Sequence, residues 1–98
     1  MSSKPKPVKI QWWPFSFRYV RRVRQYNSFC TGSRCSPAAL VREPSGEHFA
    51  SNILRAPKHK DDTWDVLAYH RKGMPTLTVS TDQIVDIECA RVVAGYEC

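Results

Sequence analysis

T-L-T-V-S-T-D-Q-I-V-D-I, residues 76–87, holds two β-type runs separated only by Thr81, Asp82 and Gln83. Thr76–Ser80 is rich in β-branched residues, which suit a pleated, half-buried surface. The second run continues from Ile84 to Val93. Its alternation places Val85, Ile87 and Cys89 on one side and Asp86, Glu88 and Ala90 on the other. Three residues are too few for a hairpin loop of ordinary twist here, but they fit one turn of 3₁₀ helix. The stretch therefore reads as strand, 3₁₀ turn, strand.

Working outward, Arg71-Lys72-Gly73-Met74-Pro75 is a hairpin loop, preceded by a strand over Trp64–His70. In that strand Trp64, Val66, Ala68 and His70 point one way and Asp65, Leu67 and Tyr69 the other. Pro57–Asp62 is a charged loop. Ala39–Arg42 and His48–Leu54 flank Pro44-Ser45-Gly46-Glu47, whose turn chemistry predicts a hairpin. The result is a five-stranded antiparallel meander over residues 38–94.

Before the meander stands W-W-P-F-S-F-R-Y-V-R-R-V-R-Q-Y-N, residues 12–27. Read as a strand, its alternation of Phe15, Phe17 and Tyr19 breaks at Arg21. Read as a helix from Pro14 to Tyr26, it places Pro14 in the first turn and brings Phe15, Tyr19, Val23 and Tyr26 near one face. The helix is the favoured reading, ended by Thr31-Gly32-Ser33. Residues 1–11, Lys- and Pro-rich, read as a flexible basic tail, and residues 12–98 as one globular domain.

The expected fold is α+β: a basic N-terminal helix packed on a five-stranded antiparallel Sm/SH3-like small barrel. The order of elements over residues 38–93 resembles Sm-like small barrels. Two families share features with it. One is the WYL domain of bacterial transcription regulators, where Trp64-Asp65-Val66-Leu67 and Asp82-Gln83-Ile84 stand at comparable places. The other is the Rho-binding antiterminator type, a helix followed by an Sm-like sheet. The middle of the Trp-Tyr-Leu signature is absent, and Gln83 stands where a basic residue belongs. What the resemblance implies is a fold, and small barrels of that fold bind nucleic acids, peptides and each other.

Charge points to the partner. The first 42 residues carry nine Lys and Arg and no acid, while all nine Asp and Glu fall from Glu43 onward, in a chain of net charge +6. Such asymmetry, interleaved with aromatics, favours an anionic partner. The expected function is an accessory or regulatory nucleic-acid-binding protein, with a slight preference for single strands. Arg18, Arg21, Arg22 and Arg24, supported by Arg34 and Arg55, would contact phosphates, and Tyr19 or Trp13 would stack on bases. The alternative is a module that docks on an acidic surface of a larger complex. A second basic group, Arg55, Lys58, His59, Lys60, Arg71 and Lys72, occupies two loops and reads first as a solvated surface, with a shared end of the barrel as the alternative.

Other chemistries find little in the chain. Cys30 and Cys35 are five apart, without a matching second pair, so no zinc site is expected. His48, His59 and His70 are scattered and the glycines stand singly, so neither an enzyme nor a cofactor is expected. There is no apolar run of membrane-spanning length and no signal-type leader, which predicts no membrane partner, a cytoplasmic location and reduced cysteines.

Overall fold

A computed structural model describes residues 6–32, 37–58 and 61–89. Helix α1 (Phe17–Gly32) is followed by strands β1 (Pro37–Arg42), β2 (His48–Arg55), β3 (Thr63–Leu67) and β4 (Thr76–Ser80). A 3₁₀ turn (Thr81–Gln83) then leads into β5 (Ile84–Cys89). The strands form one antiparallel sheet in the order β4-β3-β2-β1-β5.

β4 and β5 are the edges of this sheet and do not pair with each other. The expected closed barrel is thus replaced by an open sheet, because closure needs an unbroken ladder around the ring. The 3₁₀ turn instead passes β5 across to β1, with Val41 opposite Ile84. Helix α1 packs against β5, β1 and the 3₁₀ turn. Its Tyr19, Val20, Val23, Tyr26 and Cys30 share one core with Val79 of β4 and Ile84 and Ile87 of β5.

The helix starts later and runs further than its expected span of Pro14–Tyr26. Ser16 is the cap: its hydroxyl accepts the Tyr19 N–H at 3.3 Å and its carbonyl accepts the Val20 N–H at 3.1 Å. Pro14 lies upstream of the helix. At the other end, the buried stripe continues one turn past Tyr26 to Cys30, with Phe29 also against the core. Packing therefore carries the helix through Thr31 and Gly32, where the sequence predicts the loop that ends it.

Two register shifts shape the sheet. Leu40 faces Asp86 while Val41 faces Ile84, so Val85 is an extra residue in β5. This bulge lets Ile84 and Ile87, three apart, both reach the core while Val85 is turned out. The simple alternation expected to bury Val85 with Ile87 fails for that reason. A second shift between Ile53 and Arg55 turns Leu54 outward from β2. The face predicted for β3 is correct for Trp64, Val66 and Ala68, all buried. His70 departs from it because the strand stops at Leu67 and His70 lies in the following turn.

The Pro44–Glu47 turn forms as expected: Glu43 N–H donates to Glu47 O and Gly46 N–H to Glu43 O, both at 2.8 Å. Gly46, at φ 98°, supplies the left-handed conformation that an L side chain resists. Residues 6–11, read with the tail, lie against the core, with Val8 and Ile10 packed on it. Cys35 and Cys98 of the cysteine argument lie outside the described residues, and Cys30 is a buried thiol. Among the described residues no helix is long and apolar enough to cross a membrane.

Candidate nucleic-acid interface

The helix has two faces of opposite character. Tyr19, Val23, Tyr26 and Cys30 face the core. Phe17, Arg21, Arg24 and Ser28, at i, i+4, i+7 and i+11, form the outer stripe. Together with Trp12 they line a groove of about 330 Å³. Arg24 stacks over Trp12, with its Cζ 4.9 Å from the ring centroid. Phe17 is 88% exposed and Trp13, next to Trp12, is 87% exposed. Large aromatics so placed bury little surface in the fold.

The expected arginine cluster divides into three parts. Arg21 and Arg24 point outward and meet no carboxylate among the described residues. Arg18 lies 3.4 Å from Asp82 in an exposed pair, which screening makes weak. Arg22 turns inward: its Nε donates to Ile84 O at 3.0 Å, one terminal nitrogen donates to Val85 O, and the other donates to Gln25 Oε1 at 2.8 Å. Gln25 Nε2 in turn donates to Asp86 Oδ1 at 2.8 Å. Arg22 thus grips the carbonyls at the β5 bulge, and burial lowers its pKa, with Asp86 opposing and Arg21 and Arg18 adding to the shift. It is a helix-to-sheet clasp and is removed from the phosphate contacts.

Two further expectations are corrected. Tyr19 is 1% exposed and stacks on Phe15 at 4.0 Å, so it has no face to offer a base. Burial raises its pKa, and the charges of Asp62 and Asp61 add to the shift. Its hydroxyl has no hydrogen-bond partner among the described residues. Arg55 is consumed at home: Nε donates to Asp65 Oδ2 at 2.8 Å, Nη1 to Asp61 Oδ2 at 2.9 Å and Nη2 to Thr63 Oγ1 at 2.8 Å. A guanidinium saturated by two carboxylates cannot also neutralise a phosphate. Arg34 lies outside the described residues.

The second basic group is split. The β2–β3 and β3–β4 loops lie at opposite ends of β3, as successive turns of a meander must. Arg71 and His70 meet Glu43 of the β1–β2 turn at 2.7 and 3.1 Å. Lys58 instead stands near the N-terminal strap, and His59 and Lys60 lie outside the described residues.

Sequence reasoning missed Phe17, because the favoured helical reading leaves it off the apolar face, and it named Trp13 rather than its neighbour Trp12 among the contacts. The signal available was the complementary helical stripe opposite the apolar one. Electrostatics reinforce the outer face. The first turn of α1 contains no acid and places Arg18 at the positive pole of the helix dipole, with Arg21 just beyond it. That arrangement costs local stability and raises the positive potential at the groove. Among the described residues no group of three or more His, Cys, Asp or Glu is arranged to hold a metal ion. Compared with known proteins, the chain matches no family model, no curated protein and no solved structure.

Proposed function

We propose that this protein binds nucleic acid, with unpaired bases, through the outer face of α1 and the segment that precedes it. Arg21 and Arg24 contact phosphates, and Trp12, Trp13 and Phe17 offer stacking surfaces. The observation that carries the reading is the meeting of exposed aromatics with arginines that meet no carboxylate among the described residues, in one groove of a +6 chain. The order β4-β3-β2-β1-β5, with a 3₁₀ turn before β5, supports viewing the sheet as an opened Sm/SH3-like barrel. That analogy is to a fold that serves many partners.

A docking module for an acidic protein surface is the second reading. The apolar character that Trp12, Phe17 and Val20 give the groove favours it.

The deciding experiment titrates labelled single strands and duplexes at several salt concentrations. Single-strand binding should fall linearly in log affinity with log salt. Arg21→Ala with Arg24→Ala should weaken it at least tenfold and flatten the slope by about 1.4, at roughly 0.7 per phosphate contact. Phe17→Ala or Trp13→Ala should lose about 1–3 kcal/mol per stacked base with the slope unchanged. No binding of the wild-type chain to any nucleic acid at low salt sinks the proposal, and tight binding of an acidic peptide in its place selects the second reading.

A further inference from the structure

The segment before the helix lines two grooves, the aromatic one through Trp12 and a second through residues 6–9 and 11. The second groove, of about 430 Å³, is lined by Lys6, Val8, Lys9, Tyr26, Pro57 and Lys58 among others. Lys6, Lys9 and Lys58 are exposed, and none forms an ion pair among the described residues. The groove's lining joins the apolar Val8, Ala56 and Pro57 and the ring of Tyr26 to three lysines.

The segment that lines both grooves is held in place. The Asn27 side chain pairs with both backbone groups of Val8: Oδ1 accepts its N–H and Nδ2 donates to its carbonyl, each at 2.7 Å. Val8 and Ile10 pack on the core, leaving Lys9 turned out. At the other end Arg24 stacks over Trp12. Gln11 lines the lysine groove, and its neighbour Trp12 lines the aromatic one. An extended segment from Lys6 to Trp12 spans at most about 20 Å. The two grooves are therefore within reach of one short polymer.

Resting on the nucleic-acid reading above, we infer that these grooves form one track for a single strand that crosses the strap between Lys9 and Trp12. Bases stack in the aromatic half. The phosphates of the flanking nucleotides run past Lys6, Lys9 and Lys58. Lysines on flexible stems around an open groove suit a moving backbone better than a small ligand, for which a rigid bidentate fork would be the better grip. Stacking demands unpaired bases, which sets a single strand apart from a duplex.

The test uses oligothymidylates of 4 to 12 nucleotides and follows tryptophan fluorescence and anisotropy across salt concentrations. The variants combine Lys6→Ala, Lys9→Ala and Lys58→Ala, with a parallel set changed to Gln to keep the stems. Arg42→Ala, Arg71→Ala and Lys72→Ala together are the control for lost net charge. For the wild-type chain, affinity should rise with length to a plateau. The triple variants should bind the 4-mer within about twofold of wild type and the 12-mer far more weakly at low salt. Their 12-mer salt slope should be smaller by about 2, at roughly 0.7 for each of the lost contacts. The control should show no such length dependence.

An unchanged 12-mer affinity, or an equal loss for 4-mer and 12-mer, overturns the track and leaves the aromatic groove as the whole site. Duplex binding as tight as the 12-mer also overturns it. Failure of every wild-type titration removes both the track and the reading beneath it.

Discussion

Thr81 shows how much one side chain decides. Its hydroxyl accepts the Nε1–H of Trp64 at 2.9 Å and donates to Asp62 Oδ1. Trp64 is fully buried, so its N–H has no recourse to water if that acceptor is lost. Thr81→Val keeps the shape and removes the acceptor. It should cost about 1–3 kcal/mol, the penalty of an unsatisfied buried donor. Thr81→Ser keeps the acceptor, loses only a methyl group and should cost less. Urea unfolding of the two variants checks the order, and an equal or reversed order refutes this role for the hydroxyl. The buried face of Trp64 was legible from alternation in β3, but its partner was not, because the two residues are 17 apart in the chain.

At the scale of elements, α1 is held by its buried stripe and by Arg22 on the β5 bulge. Arg22→Ala should destabilise the fold by roughly 2 kcal/mol, since a guanidinium hydrogen-bonded to carbonyls is lost. Single-strand affinity should change by no more than about threefold, the residual effect of one cation held at a distance. Arg21→Ala should do the reverse: stability within about 0.5 kcal/mol of wild type, as for most surface changes, and a clear loss of binding. Measuring unfolding and titration on the same two variants separates a clasp from a contact. A large binding loss in a folded Arg22→Ala protein would return Arg22 to the interface. The hairpin at Pro44–Glu47, the β4 span and the 3₁₀ turn were readable because turn chemistry acts within a few residues. Ser80 N–H donating to Gln83 Oε1 at 3.2 Å gives that turn a capping-box contact written in the sequence as S-T-D-Q. The bulges were not readable, since a bulge exists only relative to the strand opposite.

For the whole molecule, stability should have a flat top between acid and alkaline limbs. The Thr63 hydroxyl, with Arg55, holds the Asp61 carboxyl below its ordinary 3.8, and Arg55 and Thr78 do the same for Asp65. Hydrogen bonds from Arg71 and His70 lower Glu43 from its ordinary 4.5. Groups with depressed folded pKa values contribute fully above their unfolded values and lose that contribution as pH falls through the folded ones. The acid limb should therefore begin below about pH 4. Burial raises Tyr19, Tyr26 and Cys30, whose ordinary values are 10.0, 10.0 and 9.0. Their contribution is complete below those values and is lost as pH rises through the higher folded ones, so the alkaline limb begins near pH 9. Urea midpoints measured from pH 3 to 11 test both limbs. Arg55→Ala should make the acid limb shallower, and an unaltered acid limb in that variant rules out the Arg55 pairs as its source.

By itself the sequence determined the strands, their turns, the amphipathic helix and the one-sided charge, because each follows from local conformational preference or from counting. Only the tertiary structure decided which arginines are spent inside the fold and which remain available. Arg21 and Arg22 are neighbours in the chain with the same chemistry. One reaches solvent beside Phe17 and the other reaches the carbonyls of β5. A helix turns each successive residue by about 100°, so adjacent side chains meet different surroundings, and what those surroundings contain is set by strands sixty residues away.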